Sequence, residues 1–182
     1  MINLDIKKIE ESKNEEFKKL LSSVNLHGNE KGEIFVSEYD IYLILFGADY
    51  FMADFYHHLS GNFKKAAGGI LYNIGIEVGK EIVKTLKMGN DYEKKIGRVL
   101  GFLKFIGYSD ISFISQNKII VKSSPDAIEF KKKYNEKTKV CYYLAGIFSG
   151  VLSNLLEKNI DVEETKCIAN GDEFCEFEIM FQ

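Results

Sequence analysis

Apolar positions along this chain change their period more than once. Between residues 5 and 24, Ile6, Ile9, Phe17, Leu20 and Leu21 recur among charged residues at helical spacing. That pattern predicts an amphipathic helix lying on another surface rather than deep in a core. Residues 28–32 break it with glycine at both ends, and 33–46 form a β-rich run around Ile34-Phe35-Val36 and Ile41-Tyr42-Leu43 whose tail turns helical. The middle of the chain reads as three helices. One covers 48–59; a second, capped at Ser60 or Asn62, runs to about Met88 and stops at Gly89; a third, capped at Asn90 or Asp91, ends before Gly107. After Gly107 the period falls to two, so 110–115 and 118–122 read as a hairpin that Pro125 ends. Thr138 is a suitable N-cap for a helix over 139–158, with Asn159 at its end. Segments 160–169 and 173–181 close the chain as a second hairpin. Strands at both ends with helices between them predict an α+β fold, an antiparallel sheet with packed helices.

At 182 residues the chain is long enough for one domain with its own core. Residues 1–30 stand apart as an N-terminal amphipathic helix that could serve as a dimerisation arm, and 31–182 form the main body. The formal net charge of −3 argues against nucleic acid as a partner, and the single basic run, Lys131-Lys132-Lys133, reads as a solvated helix face. No apolar stretch reaches the roughly 18–20 residues of a membrane span. Met1-Ile2-Asn3-Leu4-Asp5 opens no secretory signal. An odd number of thiols without export then points to a reducing, cytoplasmic setting.

The three cysteines all lie in the last quarter of the chain, at Cys141, Cys167 and Cys175. The segment between the last two centres on Asn170-Gly171-Asp172, a turn signal. A three-residue loop there would set Ala169 opposite Glu173, Ile168 opposite Phe174 and Cys167 opposite Cys175. Cβ atoms of such pairs are about 4.5–5.5 Å apart. Cys141 falls in the first turn of its helix, where exposed N–H groups and the positive dipole end favour a thiolate. Glu164 supplies a carboxylate three residues before Cys167. An odd offset puts those two side chains on opposite faces of a regular strand, so a shared site requires a bulge near Thr165-Lys166. Three thiolates and a carboxylate are a four-ligand set for zinc. Their charge around a divalent ion is −2, which Lys139 and Lys166 could offset. Three buried free thiols, or a Cys167–Cys175 cross-strand disulfide, suit the same spacing.

Glycines share a face in two helices: Gly68, Gly75 and Gly79 in one, Gly146 and Gly150 beside Ser149 and Ser153 in the other. Each costs about 1 kcal/mol against alanine. They serve either close helix-on-helix packing or a ligand seated on bare backbone. The chain holds 14 Phe and 10 Tyr but no Trp. These aromatics could fill a core or line a pocket. His57 and His58 are adjacent on a helix and point about 100° apart, so they cannot readily share a metal. No Ser-His-Asp order, P-loop or dinucleotide glycine fingerprint is present.

The ending Glu164-Thr-Lys-Cys-Ile-Ala-Asn-Gly-Asp-Glu-Phe-Cys175-Glu-Phe-Glu-Ile resembles the C-terminal signature of the 4-vinyl reductase domain family. Cys141-Tyr-Tyr-Leu-Ala-Gly-Ile-Phe-Ser-Gly-Val-Leu152 and Gly69-Ile-Leu-Tyr-Asn-Ile-Gly-Ile-Glu-Val-Gly79 are similar to that family too, and the resemblance covers 45–182. It is also the aromatic-effector sensor of phenol-responsive transcription activators, where three cysteines and a glutamate hold zinc. The resemblance implies structural zinc on Cys141, Glu164, Cys167 and Cys175. It implies a fold shared with haem nitric-oxide sensors and Golgi tethering subunits, with helices on an antiparallel sheet enclosing a small-molecule pocket. The phenol sensors place a histidine and a tryptophan at the effector; with no tryptophan here, phenol itself is not the expected ligand. The expectation is a stand-alone sensor or carrier of an apolar or aromatic ligand, acting as a homodimer. Its pocket residues would be Phe51, Phe55, His58, Tyr72, Phe102 and Phe148. A reductase acting on a vinyl group and a non-catalytic interaction module are the alternatives; with no nicotinamide or flavin motif, an enzyme is the weaker reading.

Overall fold

The structure, a computed structural model, describes residues 3–23, 27–28, 34–36, 41–43, 52–64, 66–86 and 91–181. Helix α1 (Ile6–Ser23) precedes three short antiparallel strands, β1 (His27–Gly28), β2 (Ile34–Val36) and β3 (Ile41–Leu43), which form a small sheet. Helices α2 (Met52–Phe63), α3 (Ala66–Thr85) and α4 (Tyr92–Phe105) follow. Strands β4 (Ser109–Ser115) and β5 (Lys118–Ser123) lead into α5 (Pro125–Tyr134) and α6 (Tyr142–Leu156), and β6 (Ile160–Lys166) and β7 (Cys175–Phe181) close the chain. The main sheet runs in the order β4-β5-β7-β6 with every neighbour antiparallel. This is the α+β arrangement the sequence predicts.

Two helix pairs carry the packing. In α3 and α6, Gly75, Gly79, Gly146 and Gly150 interlock across the crossing. A Cβ on Gly146 would lie 2.1 Å from the Tyr72 carbonyl oxygen, and one on Gly75 would lie 2.2 Å from that of Tyr143. These four glycines therefore serve backbone-to-backbone packing, which excludes a ligand on their bare faces. Ser149 and Ser153 point elsewhere and donate to the Ile160 carbonyl at 2.7 and 3.2 Å. Helix α1 lies on α4 of its own chain, burying Ile9 and Leu20. Lys13 of α1 reaches under that pair to donate to the Ile111 carbonyl at 2.7 Å.

Several boundaries differ from the sequence expectation. Ser60 and Asn62 do not cap a helix; they sit inside α2 and donate back to the carbonyls of His57 and His58 at 2.8 Å each. Backbone-seeking side chains of this kind suit a helix's last turn as well as its first. Helix α3 starts at Ala66, just after Lys64 takes a left-handed φ of 51°. Met88, Gly89 and Asn90 lie outside the described residues, whereas Asp91 caps α4, accepting from the Lys94 N–H at 3.2 Å. Pro125 ends β5 but also opens α5, an element the hairpin reading passes over: Ser124 at the N-cap and Pro125 at the first helical position are a helix start. The last of the glycine-bearing helices begins at Tyr142 with Cys141 as its N-cap residue, so Thr138 lies upstream of the helix rather than at its cap.

Candidate metal centre

The final hairpin decides where the candidate ligands fall. Glu164 pairs with Phe177 and Lys166 with Glu176, leaving Thr165 as an extra residue in β6. This bulge is what an odd Glu164–Cys167 offset demands, because it turns both side chains to one face. Thr165 secures it by donating to the Glu176 carboxylate at 2.8 Å. Beyond Cys167 the chain does not make a tight three-residue loop. A 3-10 turn at Ile168–Asn170 and Gly171 in the left-handed region (φ 107°) carry it round, so Ala169 and Ile168 leave the ladder and strand pairing resumes at Cys175. The Cys167 N–H donates to the Asp172 carboxylate at 2.9 Å, which fixes the turn.

Cys141, at the α6 N-terminus, Glu164, Cys167 and Cys175 then converge. Their ligand atoms all lie within 4.8 Å of one another, and all four residues are buried. All three cysteines are free thiols, which removes the cross-strand disulfide. The Cys141 and Cys175 sulfurs are 3.7 Å apart. Tetrahedral zinc with Zn–S bonds of about 2.3 Å requires sulfur–sulfur edges of about 3.8 Å. Glu164 Oε2 accepts from the Cys141 N–H at 3.0 Å, while its Oε1 is buried with no hydrogen-bond partner. An unpartnered buried carboxylate oxygen facing three thiols is a donor set awaiting a cation.

The electrostatics agree. Burial, reinforced by a Cys167 thiolate, pushes Glu164 up to about 9. The contacts with Cys141 and Cys175 hold the Cys167 thiol well below its ordinary range, and the Cys167 thiolate in turn raises Cys141. Cys175 is raised as well: its contact with Cys141 favours the thiolate, but Cys167 and burial outweigh it. Without a cation the cluster thus accepts one negative charge and resists the rest. A divalent ion reverses this, since ligation requires the deprotonated forms. Lys139 donates to the Glu164 carbonyl at 2.7 Å, close to that charge. Lys166 instead pairs with Glu176 at 3.5 Å and lies over the Phe174 ring.

A groove of about 470 Å³ runs beside the cluster. Gly68, Gly69, Tyr72 and Asn73 of α3 form one wall, Tyr142 and Ala145 of α6 its floor, and Lys139, Val162, Glu164 and Met180 the other side. A second hollow of about 460 Å³ shares Gly68 and Tyr142 with it and adds Tyr56, Ser60 and Thr138. Tyr142 stands between the two, stacked on Tyr56 at 5.8 Å, and Gly68 leaves room for its ring. The aromatic residues singled out from sequence do not converge. Tyr72 lines the groove and its hydroxyl accepts from the Val162 N–H at 3.0 Å. Phe148 is buried edge-on against Phe177, with ring centroids 5.1 Å apart. Phe102 lines a separate apolar hollow with Val78, Ile82 and Leu86. Phe55 and His58 are exposed on α2, and Phe51 lies outside the described residues. The sequence reading missed Gly69, Ala145, Val162 and Met180. The only signal for them was the small-residue run at Gly68-Gly69.

Residues 120–181 match the family model of the vinyl-4-reductase domain. An uncharacterized protein of Methanocaldococcus jannaschii, MJ0150, is 31% identical over 108 residues, covering 59% of this chain and 61% of that protein. A second from the same organism, MJ0855, is 29% identical over 158 residues, covering 82% of this chain and 58% of its own. The chain spans about three fifths of the length of these curated relatives. Among solved structures, the phenol-responsive sensory domain of the transcription activator PoxR, determined with phenol, superposes with a TM-score of 0.70 at 17% identity, covering 91% of this chain and 88% of that one. A vinyl-4-reductase family protein from Methanocaldococcus jannaschii gives a TM-score of 0.50 at 20% identity, covering 91% and 94%. Residues 120–181 therefore form a vinyl-4-reductase domain, which contains all four of the converging side chains.

Proposed function

We propose that this protein is a small-molecule-binding sensor domain whose Cys141, Glu164, Cys167 and Cys175 hold a structural zinc ion. The convergence of three thiols and an unpartnered carboxylate oxygen at one buried point carries the reading. Four protein ligands leave no open position for an activated water, so the metal's part is to tie the closing hairpin to the start of α6. The ligand's seat is the neighbouring groove, whose wall includes Glu164 and Lys139. Its floor of Tyr142, Ala145, Val162 and Met180 suits a flat apolar or aromatic molecule, and Asn73 and Lys139 supply polar contacts at the edge. That PoxR's domain of the same fold is phenol-responsive supports a sensor over a catalyst.

Small aromatic probes, phenol first, test the ligand half of this reading. Titration followed by NMR is expected to shift the Ala145, Val162 and Met180 methyl signals, and Gly69→Trp, which fills open space in the groove, is expected to abolish the shifts. Saturable binding that leaves these methyls unmoved, or that survives Gly69→Trp, places the ligand elsewhere.

A further inference from the structure

Each of the four candidate metal ligands receives one hydrogen bond from outside the cluster. Backbone N–H groups supply three of them: Cys141 to Glu164 Oε2 at 3.0 Å, Ile168 to Cys175 Sγ at 3.5 Å, and Val140 to Cys167. The fourth comes from a side chain: Ser124 Oγ lies 3.4 Å from Cys141 Sγ, and Ser124 is fully buried. A ligated thiolate carries no proton, so in the metal-bound state the hydroxyl is the donor.

The position of Ser124 makes this contact informative. It is the N-cap residue of α5, directly before Pro125 at the first helical position. Serine is favoured at N-caps because its oxygen accepts from an N–H of the first turn. Here it makes no such bond, although its backbone is extended as an N-cap residue's should be (φ −94°, ψ 112°). The hydroxyl is turned from the helix it begins toward the thiol of Cys141.

We propose that Ser124 is a positioning residue of the metal centre. It orients the Cys141 thiolate and offsets part of the charge of a site with three thiolates and one carboxylate. Helix α5 is thereby coupled to metal binding, since it also packs on the Ile168–Asn170 turn that carries the donor to Cys175. The inference rests on the zinc reading above. Outer hydrogen bonds to metal ligands are typically worth about 10–100-fold in metal affinity.

The test compares Ser124→Ala, Ser124→Gly and Ser124→Thr in the full chain. Zinc affinity is read by competition with a chromogenic chelator, and the cobalt-substituted protein by its thiolate-to-metal absorption. Glycine is nearly as good an N-cap as serine, and alanine is poor. A residue that only starts α5 would make the alanine variant weaker in stability and the glycine variant close to wild type. A residue that supports the thiolate makes both lose about 10–100-fold in zinc affinity and shift the cobalt band, with threonine restoring both. Zinc affinity within about twofold of wild type and an unshifted band in Ser124→Gly overturn the proposal. Should Ser124→Ala fail to fold, the glycine variant still decides. Failure of the wild type to bind zinc or cobalt would instead refute the zinc reading itself.

Discussion

The α3–α6 crossing makes a prediction that carries a sign as well as a size. Replacing Gly146 with alanine adds one methyl group, which meets the Tyr72 carbonyl oxygen at 2.1 Å, where ordinary contact begins at 3.4 Å. The two backbones must part by roughly 1 Å, and because Gly75, Gly79 and Gly150 interlock across the same crossing, the displacement loosens those contacts as well. Overpacking of this kind costs about 1–3 kcal/mol. A backbone obstacle belongs at the upper end, and alanine returns about 1 kcal/mol of helix propensity. The net loss is about 2 kcal/mol, or a melting temperature lower by about 4–8 °C for a chain of this length. Gly69→Ala, in the same helix, is the control: nothing lies within 4 Å of its added methyl, so only the propensity gain applies, up to about 1 kcal/mol. Denaturant unfolding of metal-saturated protein, with unchanged m-values, measures both. A Gly146→Ala variant as stable as wild type would refute the interlock.

Three further outcomes are expected. Cys167→Ser removes a ligand shared by the turn and the cluster and is expected to abolish cooperative unfolding rather than slow a reaction, read by far-UV circular dichroism with and without added zinc; a cooperative melt unaffected by zinc would contradict this. Burial raises Asp126 to about 6, with Tyr108 donating to it at 2.9 Å, so its contribution to stability is present below the ordinary carboxylate range near 3.8 and is lost as pH rises through 6. About two pH units correspond to about 3 kcal/mol. Asp126→Asn, which keeps an acceptor for Tyr108, is therefore expected to be more stable than wild type above about pH 7 and no better at about pH 4; a difference that stays constant across that range would show that the charge plays no part. Lys139→Met removes the cation at the Glu164 carbonyl and is expected to weaken metal binding in a salt-sensitive way, checked by chelator competition at low and high ionic strength; equal affinity at both would count against it.

What the sequence disclosed divides along physical lines. Short-range signals were legible: the Asp91 cap, the β4–β5 alternation, and the spacing that obliged β6 to bulge beside Glu164 if the cluster existed. Punctuation with two meanings was not. Pro125 both ends a strand and begins a helix, and reading only the first sense concealed α5, and with it the second role of Ser124. Ser60 and Asn62 bond backward inside α2 as readily as forward at a cap, so the α2–α3 boundary fell to Lys64, a residue with no turn propensity of its own. The groove was the least legible feature. An aromatic side chain bears no mark that separates the buried Phe148 from the exposed Phe55, and the groove is built instead from small or ordinary residues at Gly69, Ala145 and Val162 that only the fold brings together.

Native mass spectrometry of freshly purified protein, followed by denaturation and metal analysis, tests the central claim most directly. The account predicts one equivalent of zinc per chain in the wild type, bound to the folded protein and released on denaturation, and loss of that zinc in Cys175→Ser. Less than about half an equivalent in the wild type under zinc-replete conditions, with no change in Cys175→Ser, would contradict it.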